Sequence, residues 1–346
     1  MNNQYTLLIF FSLLIILSYV FNLIAQKIKV PSVLLLLFTG ILIRIFIPEI
    51  AETIQGLDKI LSLVGTLGLI LIVLEGSLEL EISKKKLPLI GSSFFSAIFI
   101  LLLTNVLVSS VIYWLVPGIT FKASIVNAIP LSIISSAIAI PSVDQIGEKK
   151  REFIVYESIF SDIFGILIFN FVVFTEHIVP SSFGYLFLDL GIVGLLGIVF
   201  TFILLYFISK NQLKVRFFIL IAVLILLYAS GKIMHFSSLV IIFIFGLILN
   251  NVKYIPIRWI SKFIKFELLK ENIEQFKMIT VESAFLIRTL FFFIFGYSLL
   301  ITNLFDLKLI ITGSLILIIL YGIRYLYLRF ILRANLFPEL FIVIVV

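Results

Sequence analysis

The spacing of apolar runs constrains this chain more than any other feature. From Tyr5 onward, stretches of about 18 to 28 apolar residues alternate with short polar ones, and a helix needs roughly 20 such residues to cross the hydrocarbon core of a bilayer. Eleven spans are predicted at 5–26, 30–47, 60–80, 88–116, 121–146, 150–175, 183–209, 215–232, 236–250, 279–301 and 307–332. A twelfth begins at Phe337-Pro338, and the chain ends after PELFIVIVV as if cut inside a helix. The composition agrees: 62% hydrophobic and 13% charged, against roughly 45 to 50% and 25% in a soluble domain. The expected fold class is therefore an all-α polytopic membrane protein. The first run, Tyr5 to Ala25, lacks a small-residue cleavage pattern and reads as a spanning helix. With no cysteine there is no disulfide framework, thiolate metal site or thiol nucleophile. The two histidines, His177 and His235, fall near predicted outer loops, which leaves little for a histidine metal centre, and no cofactor is expected.

Charge sets the orientation. Of the 26 Lys and Arg, nineteen fall in alternate loops, including Lys84 to Lys86, Lys149 to Arg151 and six between Lys253 and Lys277. Five, Arg44, Lys59, Lys122, Lys232 and Lys308, fall on the opposite side, and Arg288 and Arg324 lie within spans. The excess belongs in the cytoplasm, so the N-terminus is expected outside, in a cell (inner or plasma) membrane. The net charge of +7 is a topology signal and gives no reason to expect nucleic acid. The basic, amphipathic segment from Lys253 to Lys277 predicts a separate cytoplasmic surface helix.

An internal repeat is visible. PSVLLLLFTGILIR (Pro31 to Arg44) matches SSLVIIFIFGLILN (Ser237 to Asn250) without a gap, Ser32 and Gly40 answering Ser238 and Gly246. In the following spans LEGSL around Gly76 answers FGYSL around Gly296. The charge count runs the two copies in opposite directions, and inverted repeats mark secondary transporters whose site lies at broken helices near the bilayer midplane. The repeat predicts counterparts of spans five and six where the chain ends.

Ionisable residues at membrane depth cost about 2.5 to 3.5 kcal/mol each on insertion scales and face a partner or a water-filled cavity. Here they are Glu157, Asp162, Asp189, Glu75, Arg288 and Arg324. Counting about 1.5 Å per residue from Lys149 to Glu152, Glu157 lies a third of the way into span six and Asp162 near its centre. Five residues at about 100° each turn them about 140° apart. Glu157 shares its face with Ser161, and Asp162 with Ser158, at the i, i+4 spacing. The two carboxylates thus serve different tasks, one paired and one on a polar path. Asp189 reads as an interfacial carboxylate, and Glu75 with Arg288 as an ion pair of the scaffold. Span five, AIPLSIISSAIAIPSVDQIG, carries Pro130 and Pro141 with Ser132, Ser135 and Ser136 between them. It is either an ordinary proline kink or a helix opened near Ser136 to Pro141 with freed carbonyls for a cation.

The order of SSAIAIPSV, a short basic loop and then ESIFSD resembles the monovalent cation/proton antiporter superfamily, the sodium/proton exchangers in particular. VPSVLLLLFTGILI, GLILIVLEGSLEL, FLIRTLFFFIFGYS and the later YGIRYL extend the resemblance over nearly the whole chain. It implies an inverted-repeat antiporter fold with broken crossing helices, its C-terminal helices truncated here. Its parts would be first-repeat scaffold and dimerisation helices (1–80), first-repeat core helices (88–175), a linking helix (183–209), second-repeat scaffold helices (215–301) and the start of the second-repeat core (307–346). It also implies that Asp162 alternately binds a cation and protons, while Glu157 pairs with Arg324. Ser158, Ser161, Ser135 and Ser136 complete the expected ion and proton site, Asp162 being the ligand of the transported monovalent cation. The exchangers usually carry Asn, and electrogenic relatives Asp, where this chain has Ser161, whose hydroxyl cannot titrate and so favours one titratable carboxylate and electroneutral exchange. The Thr and Asp often found in the helix break are replaced by Ile138 to Ile140.

The expectation is a homodimeric transporter, not an enzyme, exchanging sodium, lithium or potassium for protons across the lipid bilayer by alternating access. The rival readings are a cation channel or sensor on the same fold and an organic-anion symporter, for which Arg324 alone could supply the basic residue.

Overall fold

The computed structural model describes residues 3–28, 31–46, 57–143, 147–175, 180–210, 217–234, 236, 238–252, 266–299 and 306–331. Among them the helices run α1 (Asn3–Ile28), α2 (Ser32–Phe46), α3 (Leu57–Glu79), α4 (Leu87–Leu115), α5 (Phe121–Ser132), α6 (Ser136–Ser142), α7 (Glu148–Phe174), α8 (Pro180–Lys210), α9 (Phe217–Ile233), α10 (Leu239–Asn250), α11 (Phe266–Ser298) and α12 (Leu307–Leu326), which continues into a π-helical turn at Tyr327–Ile331. Seven of these, α1, α3, α4, α7, α8, α11 and α12, hold stretches long and apolar enough to cross a membrane. The twelve residues of α10 rise only about 18 Å, so that element is shorter than a full crossing. His177, His235 and the twelfth span lie outside the described residues.

Two sequence expectations change. The fifth span is two helices, α5 and α6, separated at Ile133 to Ser135, a few residues before the predicted opening. The described part of the 253–277 segment is not a separate surface helix, because residues 266–277 are the first turns of α11. FELLKENIEQFK is rich in good helix formers and holds neither Gly nor Pro, so nothing stops the helix before the apolar stretch.

The chain divides into two compact units. The first holds α1, α2, most of α3 and the part of α11 from Met278 onward. Its core is Leu14, Leu36 and Phe293, and the Ser18 and Thr289 hydroxyls share a buried hydrogen bond of 2.7 Å. α2 and α11 cross backbone to backbone. A Cβ on Gly40 would sit 2.7 Å from the Tyr297 nitrogen and against the Phe293 carbonyl, and one on Gly296 would overlap the Leu37 carbonyl.

The second unit holds the last turns of α3, all of α4 to α10, the start of α11 and α12. α7 is its centre, with Ile154, Val155, Ile159, Ile163 and Leu167 packed together with Leu80, Ala139, Val143 and Leu328. Beside it α4 buries a face from Ser93 to Ile112 at three- and four-residue spacing. Thr120 caps α5, accepting from the Ala123 N–H at 3.2 Å. Asp306 does the same for α12 through Lys308 at 2.9 Å. In this unit Gly246 of α10 lies on α3, where a Cβ would overlap the Ser77 hydroxyl and come within 3.3 Å of the Leu74 carbonyl. The matched glycines of the repeat, Gly40 and Gly246, therefore each permit a close helix crossing in their own unit.

Candidate functional site

Helix α7 carries both deep carboxylates, and the fold gives them different surroundings. Glu157 is fully buried, whereas Asp162 keeps part of its surface accessible. The Arg324 guanidinium donates to both carboxylate oxygens of Glu157, and the Ser96 hydroxyl of α4 donates to one of them. Arg324 itself is 5% exposed. Three helices, α4, α7 and α12, are thus joined at one buried carboxylate. A planar guanidinium held bidentately is the arrangement Arg provides and Lys does not.

Asp162 lies on a different face, at the α5–α6 break. One of its carboxylate oxygens accepts the backbone N–H of Ser136 at 3.2 Å. Its neighbour Ser161 accepts the N–H of Ile134 at 3.0 Å. Two backbone donors of the broken segment are therefore satisfied by side chains of α7 rather than by a preceding turn. This explains where the helix opens. Pro130 and Pro141 lie within α5 and α6, and the break comes between them, where acceptors from α7 compete for the backbone. Gly165 completes the approach, since a Cβ there would overlap the Ile133 side chain at the start of the break.

The structure brings Asp162, Ser161 and Ser136 together. Ser135 lies in the break and precedes α6; its carbonyl accepts from Ile138 and Ala139 at 3.2 and 2.8 Å. Ser158 is fully buried, and its hydroxyl donates to the Val155 carbonyl of its own helix at 3.1 Å. Ser161 is 1% exposed, and its oxygen is occupied by a backbone amide. Two participants escaped the sequence reading. Ser96 is one of several serines on α4, with nothing in its local pattern to single it out. Gly165 could have been found, because it follows Ser161 and Asp162 at the i+4 and i+3 positions in SDIFG and so shares their side of the helix. Chemically, a partly accessible carboxylate beside hydroxyls and open backbone offers hard oxygen donors, suited to a proton or an alkali cation and unsuited to a soft metal.

The chain matches the family described as sodium/hydrogen exchanger, transmembrane, over residues 10–338. Two solved structures of the sodium proton antiporter MjNhaP1 from Methanocaldococcus jannaschii share its fold. One, determined at pH 8, aligns with a TM-score of 0.70 at 18% identity and covers 99% of this chain and 84% of that one. The other, from an electron-microscopy map, gives a TM-score of 0.70 at 19% identity and covers 99% and 81%. No curated protein matches the sequence.

Proposed function

The chain belongs to the sodium/hydrogen exchanger family, and from that premise we propose that it exchanges sodium for protons by alternating access, with cation and proton competing for Asp162. The observation that carries this reading is the contrast within one helix. Glu157 is buried and neutralised by Arg324, while Asp162 stays partly accessible at a helix break. A charge locked in a buried bidentate pair cannot be exchanged without leaving an unpaired ion. A carboxylate at an opening can take up a cation or a proton in turn. Ser161 and Ser136 act as positioning residues for the break, and Ser135 supplies oxygen beside it.

With Glu157 committed to Arg324 and Ser161 unable to titrate, one carboxylate remains, so exchange is one cation for one proton and moves no net charge. The moving core is α4 to α7 with α12, and the scaffold, through which two copies associate, is α1 to α3 with α9 to α11. The N-terminus lies outside, in the cell membrane.

The test is dissipation of a preset pH gradient in proteoliposomes when sodium, lithium or potassium is added. Sodium should collapse the gradient, Asp162→Asn should abolish the response, and clamping the membrane potential should leave the rate unchanged. Full activity in Asp162→Asn would overturn the assignment of the site. Cation flux without matching proton flux would give the channel reading in its place.

A further inference from the structure

The basic end of α7 is tied to the segment that follows α3 by a cluster of contacts that the ion site does not use. The Tyr156 hydroxyl donates to the Glu81 carbonyl at 2.6 Å. The Lys86 ammonium bridges two carboxylates, Glu152 at 2.7 Å and Glu81 at 3.0 Å. Arg151 faces Glu79 at 3.9 Å. The segment is itself pinned to the end of α10. Asn251 donates to the Leu80 carbonyl at 2.7 Å and accepts the Ile82 N–H at 2.6 Å, and Asn250 donates to Leu80 at 3.0 Å.

Resting on the division into core and scaffold proposed above, we infer that Glu79, Glu81 and Lys86 with Arg151, Glu152 and Tyr156 form a cytoplasmic latch, closed here, whose release is a required step of each exchange cycle. Three features separate a latch from ordinary packing. First, in that proposed division the Tyr156–Glu81 and Arg151–Glu79 contacts join the α3 end, with α10, to the helix that carries Asp162, and Lys86 of the turn before α4 bridges the two sides. Second, their chemistry is separable. The ionic side chains retain 23 to 37% of their surface, so each partner can be rehydrated when the pair opens, and such exposed pairs contribute little individually. The Glu157–Arg324 pair, at 0% and 6%, has no such route and stays within the core. Third, the ion pairs named above gather at the start of α7. Toward its other end the scaffold contact is a hydrogen bond without a carboxylate, Asn170 accepting from Lys232 of α9 at 3.3 Å. The Lys122 ammonium of α5, a neighbour within the core, reaches the Val173 and Thr175 carbonyls at 3.3 and 2.9 Å. Burial on its own would lower the Lys86 pKa, but hydrogen bonds to Glu152 and Glu81 outweigh it and raise the value above the ordinary lysine range. The bridging charge therefore persists through neutral pH.

The chain has no cysteine of its own, so the latch can be closed covalently. Glu81→Cys with Glu152→Cys, joined by a bismaleimide carrying a reducible disulfide in its spacer, should lose sodium-driven proton flux in proteoliposomes. Reduction should restore it to the level of the uncross-linked double variant, and each single variant treated with the reagent should keep its own rate. Full flux in the cross-linked protein would overturn the latch. A second measurement does not depend on flux: the rate of cross-linking in detergent should differ between sodium-free and sodium-saturated protein, and equal rates would overturn the proposal. Absence of flux in the unmodified chain would instead count against the exchange reading alone, with the cross-linking rates still deciding the latch.

Discussion

At the residue scale, the molecule separates two carboxylates that the sequence places five positions apart. Helical phase already turned Glu157 and Asp162 to different faces. Only packing supplied Ser96 as a further partner of Glu157 and gave the Ser161 oxygen a backbone donor. Removing the guanidinium should show what the pair contributes. Arg324→Ala leaves a buried, unpaired Glu157 and should cost about 3 to 5 kcal/mol of stability, read as a lowered melting temperature in detergent. Arg324→Lys, which cannot bond bidentately, should recover only part of that loss. Ser161→Ala strands the Ile134 N–H and should cost about 1 to 3 kcal/mol, whereas Ser161→Thr, keeping a hydroxyl, should lose less. An Ala variant melting like the parent would mean that the Ser161–Ile134 bond does not hold the break.

At the scale of elements, glycines mark where helices meet, and their neighbours differ enough to give opposite expectations. A methyl group on Gly40 would meet the Phe293 carbonyl and the Tyr297 amide, neither of which can rotate away. Gly40→Ala should therefore force α2 and α11 apart and destabilise the first unit. Gly313, inside α12, has nothing within 4 Å of the place its methyl would take, so Gly313→Ala should be neutral or stabilising by roughly 0.5 to 1 kcal/mol through helix propensity. Paired thermal melts of the two variants test the crossing directly, and equal effects would contradict it. The repeat made Gly40 and Gly246 noticeable in the sequence. That each lies at a close crossing follows from the partners, the α11 backbone for one and Leu74 with Ser77 for the other, which sequence does not display. The position of the α5–α6 break teaches the same lesson. Proline marked the region, but competition from Ser161 and Asp162 chose the residues.

For the whole molecule, the charge pattern makes a topological prediction that the cysteine-free chain makes simple to check. Lys84→Cys, in the exposed turn before α4, should react with a membrane-impermeant maleimide only from the cytoplasmic side. Trp114→Cys, 85% exposed at the far end of the same helix, should react only from outside. Labelling with the sides reversed would invert the assigned orientation. Hydropathy alone established that the chain crosses a membrane many times, because runs of about 20 apolar residues have no other stable destination. The same reading singled out the few buried charges, because each is costly unless a partner or cavity meets it, and the order of the motifs pointed to the exchanger family. Packing in three dimensions chose which donors meet which carboxylate, where the broken helix opens, that residues 266–277 join α11, and that the start of α7 is fastened to the segment after α3. Those outcomes depend on side chains far apart in the chain arriving at one place, and hydropathy and helical phase describe only the neighbourhood of each residue along its own helix.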